Sequence, residues 1–160
     1  MAERKVDVAI IGGGTAGMVA YRQASKRADQ VVLIEGDEFG TLCARSGCMP
    51  SKLLIAAAEA AHAARHSDQF GIRIDSVGID SRAVMARVKT ERDRFVSGVL
   101  DSIERIPDGD IIRAKARFTA PQELCLDDGQ RILADRIVIA VGSSTHVVPM
   151  LEAAGSRLIT

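Results

Sequence analysis

The sequence predicts an α/β fold, with a parallel sheet, helices on its faces and a small antiparallel β-meander. Three observations predict it. Residues 6–11 and 31–35 are short apolar runs rich in β-branched side chains, the pattern of strands buried on both faces. A glycine-rich turn at 12–17 links the first run to a helical pattern over 18–26. A third apolar run at 137–143 reads as another buried strand ending in a small-residue turn.

The turn reads Gly12-Gly13-Gly14-Thr15-Ala16-Gly17 and supplies G-x-G-x-x-G between a strand and a helix. Gly12 permits the tight turn, Gly14 lets the backbone approach a pyrophosphate, and Gly17 lets helix and strand pack closely. The unpaired N–H groups at the helix start then face the phosphates. The second strand ends in Glu35, eighteen residues after Gly17. That is close to the spacing of the acid that accepts hydrogen bonds from an adenosine ribose. These features predict dinucleotide binding without distinguishing NAD from FAD.

Next come Cys43 and Cys48, followed by Pro50 and Lys52. The cysteines are near enough in sequence for a small disulfide loop. Pro50 suits a first helical turn, and the helix continues over 53–64. A helix N-terminus and a cation such as Lys52 both lower the pKa of a nearby thiol, which favours the nucleophilic thiolate. Spacing alone leaves open a pair of inert buried thiols. The alanine-rich face at 56–64 is expected against the sheet, and residues 66–71 end that helix.

Asp80 offers an N-cap to one long amphipathic helix over 82–105, with Val84, Val88, Phe95, Val99 and Ile103 at helical spacing. The mixed charges of 89–94 read as a solvated face. Residues 107–110 form a turn and 111–118 a strand. Residues 123–126 and 130–133 form a hairpin about Asp128-Gly129. Cys125 lies in that hairpin and reads as a packing residue.

The composition excludes several functions. The chain has 160 residues, 47% hydrophobic and 26% charged, with formal net charge +0, so one packed domain is expected. No basic excess points to nucleic acid and no polybasic tail to a membrane surface. One Tyr and four Phe are too few for a base-stacking platform. No apolar run approaches a membrane span, and the N-terminus lacks the pattern of a secretory signal. The expected location is therefore the cytoplasm, where a close cysteine pair is catalytic or metal-binding more often than structural. His62 and His66 are one helical turn apart and within reach of one metal. With no further Cys or His ligands at short spacing they read as surface histidines, and no metal is assigned.

The stretch Cys43-x-x-x-x-Cys48-Met49-Pro50-Ser51-Lys52 resembles the active-site signature of the class I pyridine nucleotide-disulfide oxidoreductases. These are the flavoenzymes related to dihydrolipoamide dehydrogenase, glutathione reductase and mercuric reductase. The resemblance covers essentially the whole chain, as the N-terminal FAD-binding segment of a protein about three times longer. Ser51-Lys52 is more similar to the dihydrolipoamide and mercuric branches than to the glutathione branch. The resemblance implies a Rossmann-like FAD-binding domain over 1–150, with 151–160 starting the crossing toward a nicotinamide domain. It implies electron flow between NAD(P), FAD, a Cys43–Cys48 redox disulfide and a small-molecule or lipoyl-type dithiol, with dihydrolipoamide oxidation as the first expectation. A homodimer is implied for the intact enzyme.

The catalytic residues carried over are Cys43, which exchanges with substrate, Cys48, the charge-transfer thiolate, and Lys52, which approaches the flavin ring. The FAD-binding residues carried over are Gly12, Gly14, Thr15, Ala16, Gly17, Glu35, Gly36, Gly40, Thr41, Leu42, Cys43, Gly47, Cys48 and Lys52. Ala116, whose backbone would meet the adenine, and Ala140, Val141 and Gly142 complete the set. Leu42 departs from the family's threonine near the pyrophosphate, and Thr41 is the replacement donor. Val141 also stands where threonine is usual. A second glycine fingerprint, the second FAD motif and the family's His/Glu catalytic pair are absent. The chain is therefore expected to be part of a larger enzyme and not to turn over a disulfide substrate alone. Two other readings stay open, a stand-alone FAD-binding module and a thiol redox sensor without flavin.

Overall fold

The computed structural model describes residues 3–144 and 146–157. The chain forms two compact units. One is Phe39–Ile106, and the other is built from the chain through Glu38 and from Pro107 onward.

The second of these carries the sheet. β1 (Glu3–Ile11) runs into α1 (Thr15–Ala24) and then β2 (Val31–Ile34). β3 (Ile111–Ile112), β4 (Ala116–Ala120), β5 (Glu123–Leu126) and β6 (Arg131–Ile139) follow after the inserted unit. The order across the sheet is β3-β2-β1-β6-β5-β4. The pairs β3–β2, β2–β1 and β1–β6 are parallel, while β6–β5 and β5–β4 are antiparallel. The expected α/β fold, with its parallel sheet and β-meander, is therefore the observed one.

Alternation along the strands explains the core. Val6, Ala9, Val32, Ile34, Ala114, Leu124, Leu126, Ile132 and Ala134 form one buried cluster. Ile10 and Leu33 are completely buried as well, and α1 brings buried Met18 and Tyr21 against β1 and β2. Burying side chains of this size stabilises by about 1.5–3 kcal/mol each. The Tyr21 hydroxyl donates to Asp110 Oδ2 at 2.5 Å, tying α1 to the turn that leads into β3. Burial, then that carboxylate, raises the Tyr21 pKa above its ordinary value.

Four expectations need correction here. Residues 111–118 are two strands, because β3 pairs with β2 and β4 with β5. The second hairpin arm and the last apolar run are one strand: β6 pairs with β5 through Arg131–Leu133 and with β1 along its whole length. That last run is also not buried. Ile139 and Val141 are each 65% exposed, since little packs on this end of the strand. The first helix starts at Thr15, three residues before the apolar period begins at Met18. The D-G turn is as expected, with Gly129 at φ +84 and Asp128 Oδ1 accepting from the Gln130 N–H at 2.9 Å.

The unit Phe39–Ile106 is helical. It comprises α2 (Leu42–Arg45), α3 (Cys48–Arg65) and α4 (Ser81–Ile103). Asp80 caps α4, accepting from the N–H groups of Arg82 and Ala83 at 2.9 and 3.0 Å. α3 begins at Cys48, with Pro50 in its first turn and residues 53–64 continuing it, as expected. Its alanine face buries no residue, contrary to expectation. The half-buried positions Leu53, Ala57, Ala61 and Ala64 instead form one stripe, and α3 packs along α4 and α2. A short α5 (Pro149–Glu152) follows the sheet. The expected crossing at 151–160 falls partly outside the described residues. Among the described residues no helix is long and apolar enough to cross a membrane.

Candidate functional site

The glycine turn is built where β1 ends. Gly12 adopts φ +105, which favours glycine, and its N–H donates to the Ile34 carbonyl at 2.8 Å. A Cβ on Gly12 would collide with the Ala140 carbonyl, and one on Gly17 with the Gly12 carbonyl. The Ala140 N–H donates to Ile11 at 2.8 Å. Gly12, Gly17 and Ala140 thus meet at one point, as close helix–strand packing requires.

Gly14 differs from these. A Cβ there would have no heavy atom within 4 Å. It is the N-cap of α1 and makes no side-chain cap bond, and Thr15 and Ala16 are exposed. The first N–H groups of a ten-residue helix therefore face open space without a side-chain acceptor. That arrangement suits an anion such as a pyrophosphate.

Glu35 follows β2, and its carboxylate is already engaged. Oε2 accepts from the Gly13 N–H at 2.6 Å and Oε1 from the Asp37 N–H at 3.0 Å. The expected ribose acceptor thus also braces the glycine turn, with lone pairs left for a ligand. Gly36 faces the 113–116 segment, because a Cβ there would collide with the Lys115 side chain. Lys115 Nζ pairs with Asp37 Oδ1 at 3.3 Å. Ala116 is half-buried at the start of β4, whereas Gly142 is exposed beyond β6.

The thiols belong to the helical unit. Gly40 and Thr41 bend the chain at φ +126 and +42. Thr41 Oγ1 accepts from the Ala44 N–H at 3.2 Å and so caps α2. The Thr41 hydroxyl expected at a phosphate therefore has a structural partner. Leu42 is 66% exposed and belongs to no core. The Ser46 and Gly47 N–H groups both donate to the Leu42 carbonyl, at 3.1 and 2.8 Å, which closes the loop between the cysteines. Arg45 was not anticipated from the sequence. Its Nε donates to the Phe39 carbonyl at 2.8 Å, and a Cβ on Gly40 would lie 2.5 Å from that nitrogen. No local signal marks such a fold-back.

Cys43 in α2 and Cys48 at the start of α3 are free thiols, the first half-buried and the second exposed. Hydrogen bonding with the Cys48 side chain is the main cause that raises the Cys43 pKa. Burial and the charge of Cys48 act in the same direction, while the Cys48 N–H and the Lys52 charge oppose them. The expected lowering by Lys52 and the α3 N-terminus is present at Cys43 but outweighed. Lys52 is exposed one turn along α3 from Cys48. Such a pair can exchange with a dithiol or disulfide. Cys125 is half-buried, alternating with buried Leu124 and Leu126, and it hydrogen-bonds to the Leu126 carbonyl at 3.5 Å.

Comparison with known proteins gives a consistent result. A dihydrolipoyl dehydrogenase of Bacillus subtilis is 28% identical over 96% of this chain and 35% of its own length. A mercuric reductase of Acidithiobacillus ferrooxidans is 33% identical over 92% of this chain and 28% of its own length. The chain therefore spans about a third of the curated relatives it matches. The HOCl-induced flavoprotein disulfide reductase RclA from Escherichia coli shares the fold, with TM-score 0.67, 23% identity and coverage of 89% of this chain and 29% of that one. The family model for pyridine nucleotide-disulphide oxidoreductases matches residues 6–158, and the chain belongs to that family.

Proposed function

We propose that this chain is the FAD-binding, disulfide-bearing part of a dihydrolipoamide dehydrogenase-like flavoprotein that uses NAD(P) as acceptor or donor. The observation that carries the reading is that α2 and α3, which bear the free thiols of Cys43 and Cys48, pack together. The open, uncapped start of α1 beside Glu35 supports the dinucleotide half of it. In this reading residues 1–150 are the first segment of the FAD domain and 151–160 begin the crossing. The whole protein is a cytoplasmic homodimer.

The chain's own residues then act as follows. The N–H groups of Thr15, Ala16 and Gly17 would hold the pyrophosphate, and Glu35 would accept from the adenosine ribose. Gly36 makes room for Lys115, and the Ala116 backbone would meet the adenosine. Bound FAD supplies the two-electron carrier between the thiols and the nicotinamide. A substrate thiolate attacks Cys43 Sγ of the oxidised pair; the S–S bond breaks and its electrons leave on Cys48 as thiolate. The second substrate thiolate attacks the substrate sulfur of the mixed disulfide and releases Cys43, which takes up a proton. The substrate loses two electrons and the cysteine pair gains them. Lys52 stabilises the negative charge that develops at the pair.

The test is the visible absorption spectrum of the whole protein with FAD, before and after a dithiol is added. A flavin spectrum that gains a long-wavelength band is expected. Failure to take up FAD would sink the reading. The mercuric branch is a second reading, supported by the mercuric reductase match. Turnover with Hg²⁺ rather than dihydrolipoamide would favour it.

A further inference from the structure

We propose that His62 and His66 form a two-imidazole chelating site for a borderline divalent metal ion of the Cu²⁺, Ni²⁺ and Zn²⁺ class. The site lies at the carboxyl end of α3, and the Cys43–Cys48 chemistry uses neither residue. Both histidines are exposed and lie on one face of the helix, four residues apart. Their rings are stacked, with centroids 4.0 Å apart and planes at 30°. Metal–imidazole bonds of about 2.0–2.1 Å place two cis nitrogens roughly 3 Å apart. Residues four apart on a helix have Cβ atoms about 5–6 Å apart, within the span of two imidazole side chains.

The tautomer of His66 supports the site. Its Nδ1 lies 2.8 Å from the His62 carbonyl oxygen. A carbonyl only accepts, so Nδ1 carries the proton and, in the neutral ring, Nε2 presents its lone pair outward. Metal-ligating histidines are commonly held this way, with the other ring N–H on a carbonyl or carboxylate. The His62 ring nitrogens have no hydrogen-bond partner among the described residues, so both are open to a ligand.

The surroundings are mixed in charge. Glu59 lines the same surface depression and attracts a cation, while Arg65 also lines it and opposes one. The last carbonyls of α3 present the negative end of the helix dipole, which favours a cation there. Among the described residues there is no group of three or more His, Cys, Asp or Glu side chains that could hold a metal. The protein therefore supplies two ligands, and water completes the coordination. Imidazole pairs select this metal class over Mg²⁺ and Ca²⁺, which prefer oxygen.

The test is calorimetric titration of the full chain with NiCl₂ after iodoacetamide has blocked its three cysteines, which would otherwise compete. One saturable site with a dissociation constant below roughly 100 μM is expected. His62→Ala and His66→Ala should each weaken binding by on the order of tenfold or more, as loss of one arm of a chelate requires. His146→Ala should leave it unchanged. Both histidines of the pair are exposed, so the variants keep the fold, and far-UV circular dichroism checks this. The proposal is overturned by absence of saturable binding, by unchanged affinity in either single variant, or by an equal response to MgCl₂.

Discussion

The Glu35 carboxylate accepts the backbone N–H of Gly13 at 2.6 Å, so the acid after β2 grips the turn that follows β1. One side chain thereby shapes the glycine turn and, in the proposed reading, would also accept from a nucleotide ribose. The two roles separate on mutation. Glu35→Ala strands the N–H groups of Gly13 and Asp37 and should cost about 1–3 kcal/mol. Glu35→Gln keeps one acceptor oxygen and should cost less. Urea unfolding measures stability and flavin fluorescence measures FAD binding. Equal stability of Glu35→Ala and the parent would refute the bracing role.

The glycines of the turn divide into those that meet protein and one that meets open space. A Cβ on Gly17 would strike the Gly12 carbonyl, and overpacking of this kind costs about 1–3 kcal/mol. Gly14 has φ −74 and an open Cβ direction. Gly14→Ala should therefore change stability by no more than about 1 kcal/mol, because the entropy gain and the poorer N-cap oppose each other, while impairing FAD uptake. Thermal melts with and without FAD check the pair. If Gly14→Ala binds FAD as well as the parent, the phosphate does not lie at that position.

Thr41 holds φ +42 in a region that side chains with a Cβ avoid, and its hydroxyl caps α2. Relief of such strain contributes about 1–3 kcal/mol, while exchange of a Thr cap for Gly costs only a few tenths. Thr41→Gly should thus raise the urea midpoint. Thr41→Val keeps the strain, loses the cap and should lower the midpoint, with a stability loss of about 1 kcal/mol. A lower midpoint for Thr41→Gly would show that the bend carries no strain.

The Cys43 thiol holds its proton above the ordinary value of 9.0, chiefly through its bond to Cys48. The folded state binds this proton more tightly than the unfolded chain does. Its contribution to stability is therefore complete below the unfolded thiol pKa and lost as pH rises through the folded one. The urea midpoint of the reduced protein should fall in the alkaline range above the ordinary thiol value. Cys48→Ala removes the leading cause, so alkylation of Cys43 by iodoacetamide should shift to lower pH. An unchanged alkylation profile in Cys48→Ala would contradict the assignment.

Much of this molecule is legible in its sequence because the signals are local. The apolar runs of β1 and β2, the glycine turn, the Asp80 cap and the Asp128-Gly129 hairpin each lie within a few residues of the backbone they control. The cysteine signature is equally local. By itself the sequence determined the α/β class and the glycine turn, and it set Cys43 and Cys48 close together along the chain. Partner choice and burial belong to the tertiary structure. Residues 111–120 carry one continuous strand-like pattern, yet β3 joins β2 and β4 joins β5, because distant backbones supply the hydrogen bonds. β6 reads as two elements but is one, since its first residues have antiparallel β5 on one side while β1 runs parallel on the other. The exposure of Ile139 and of the alanine face of α3 depends on what packs there, which hydrophobic patterning does not specify. The direction of the Cys43 shift, the Glu35–Gly13 bond and the stacked histidine rings arise from distances set by folding, because hydrogen bonds and charge interactions depend on separation in space.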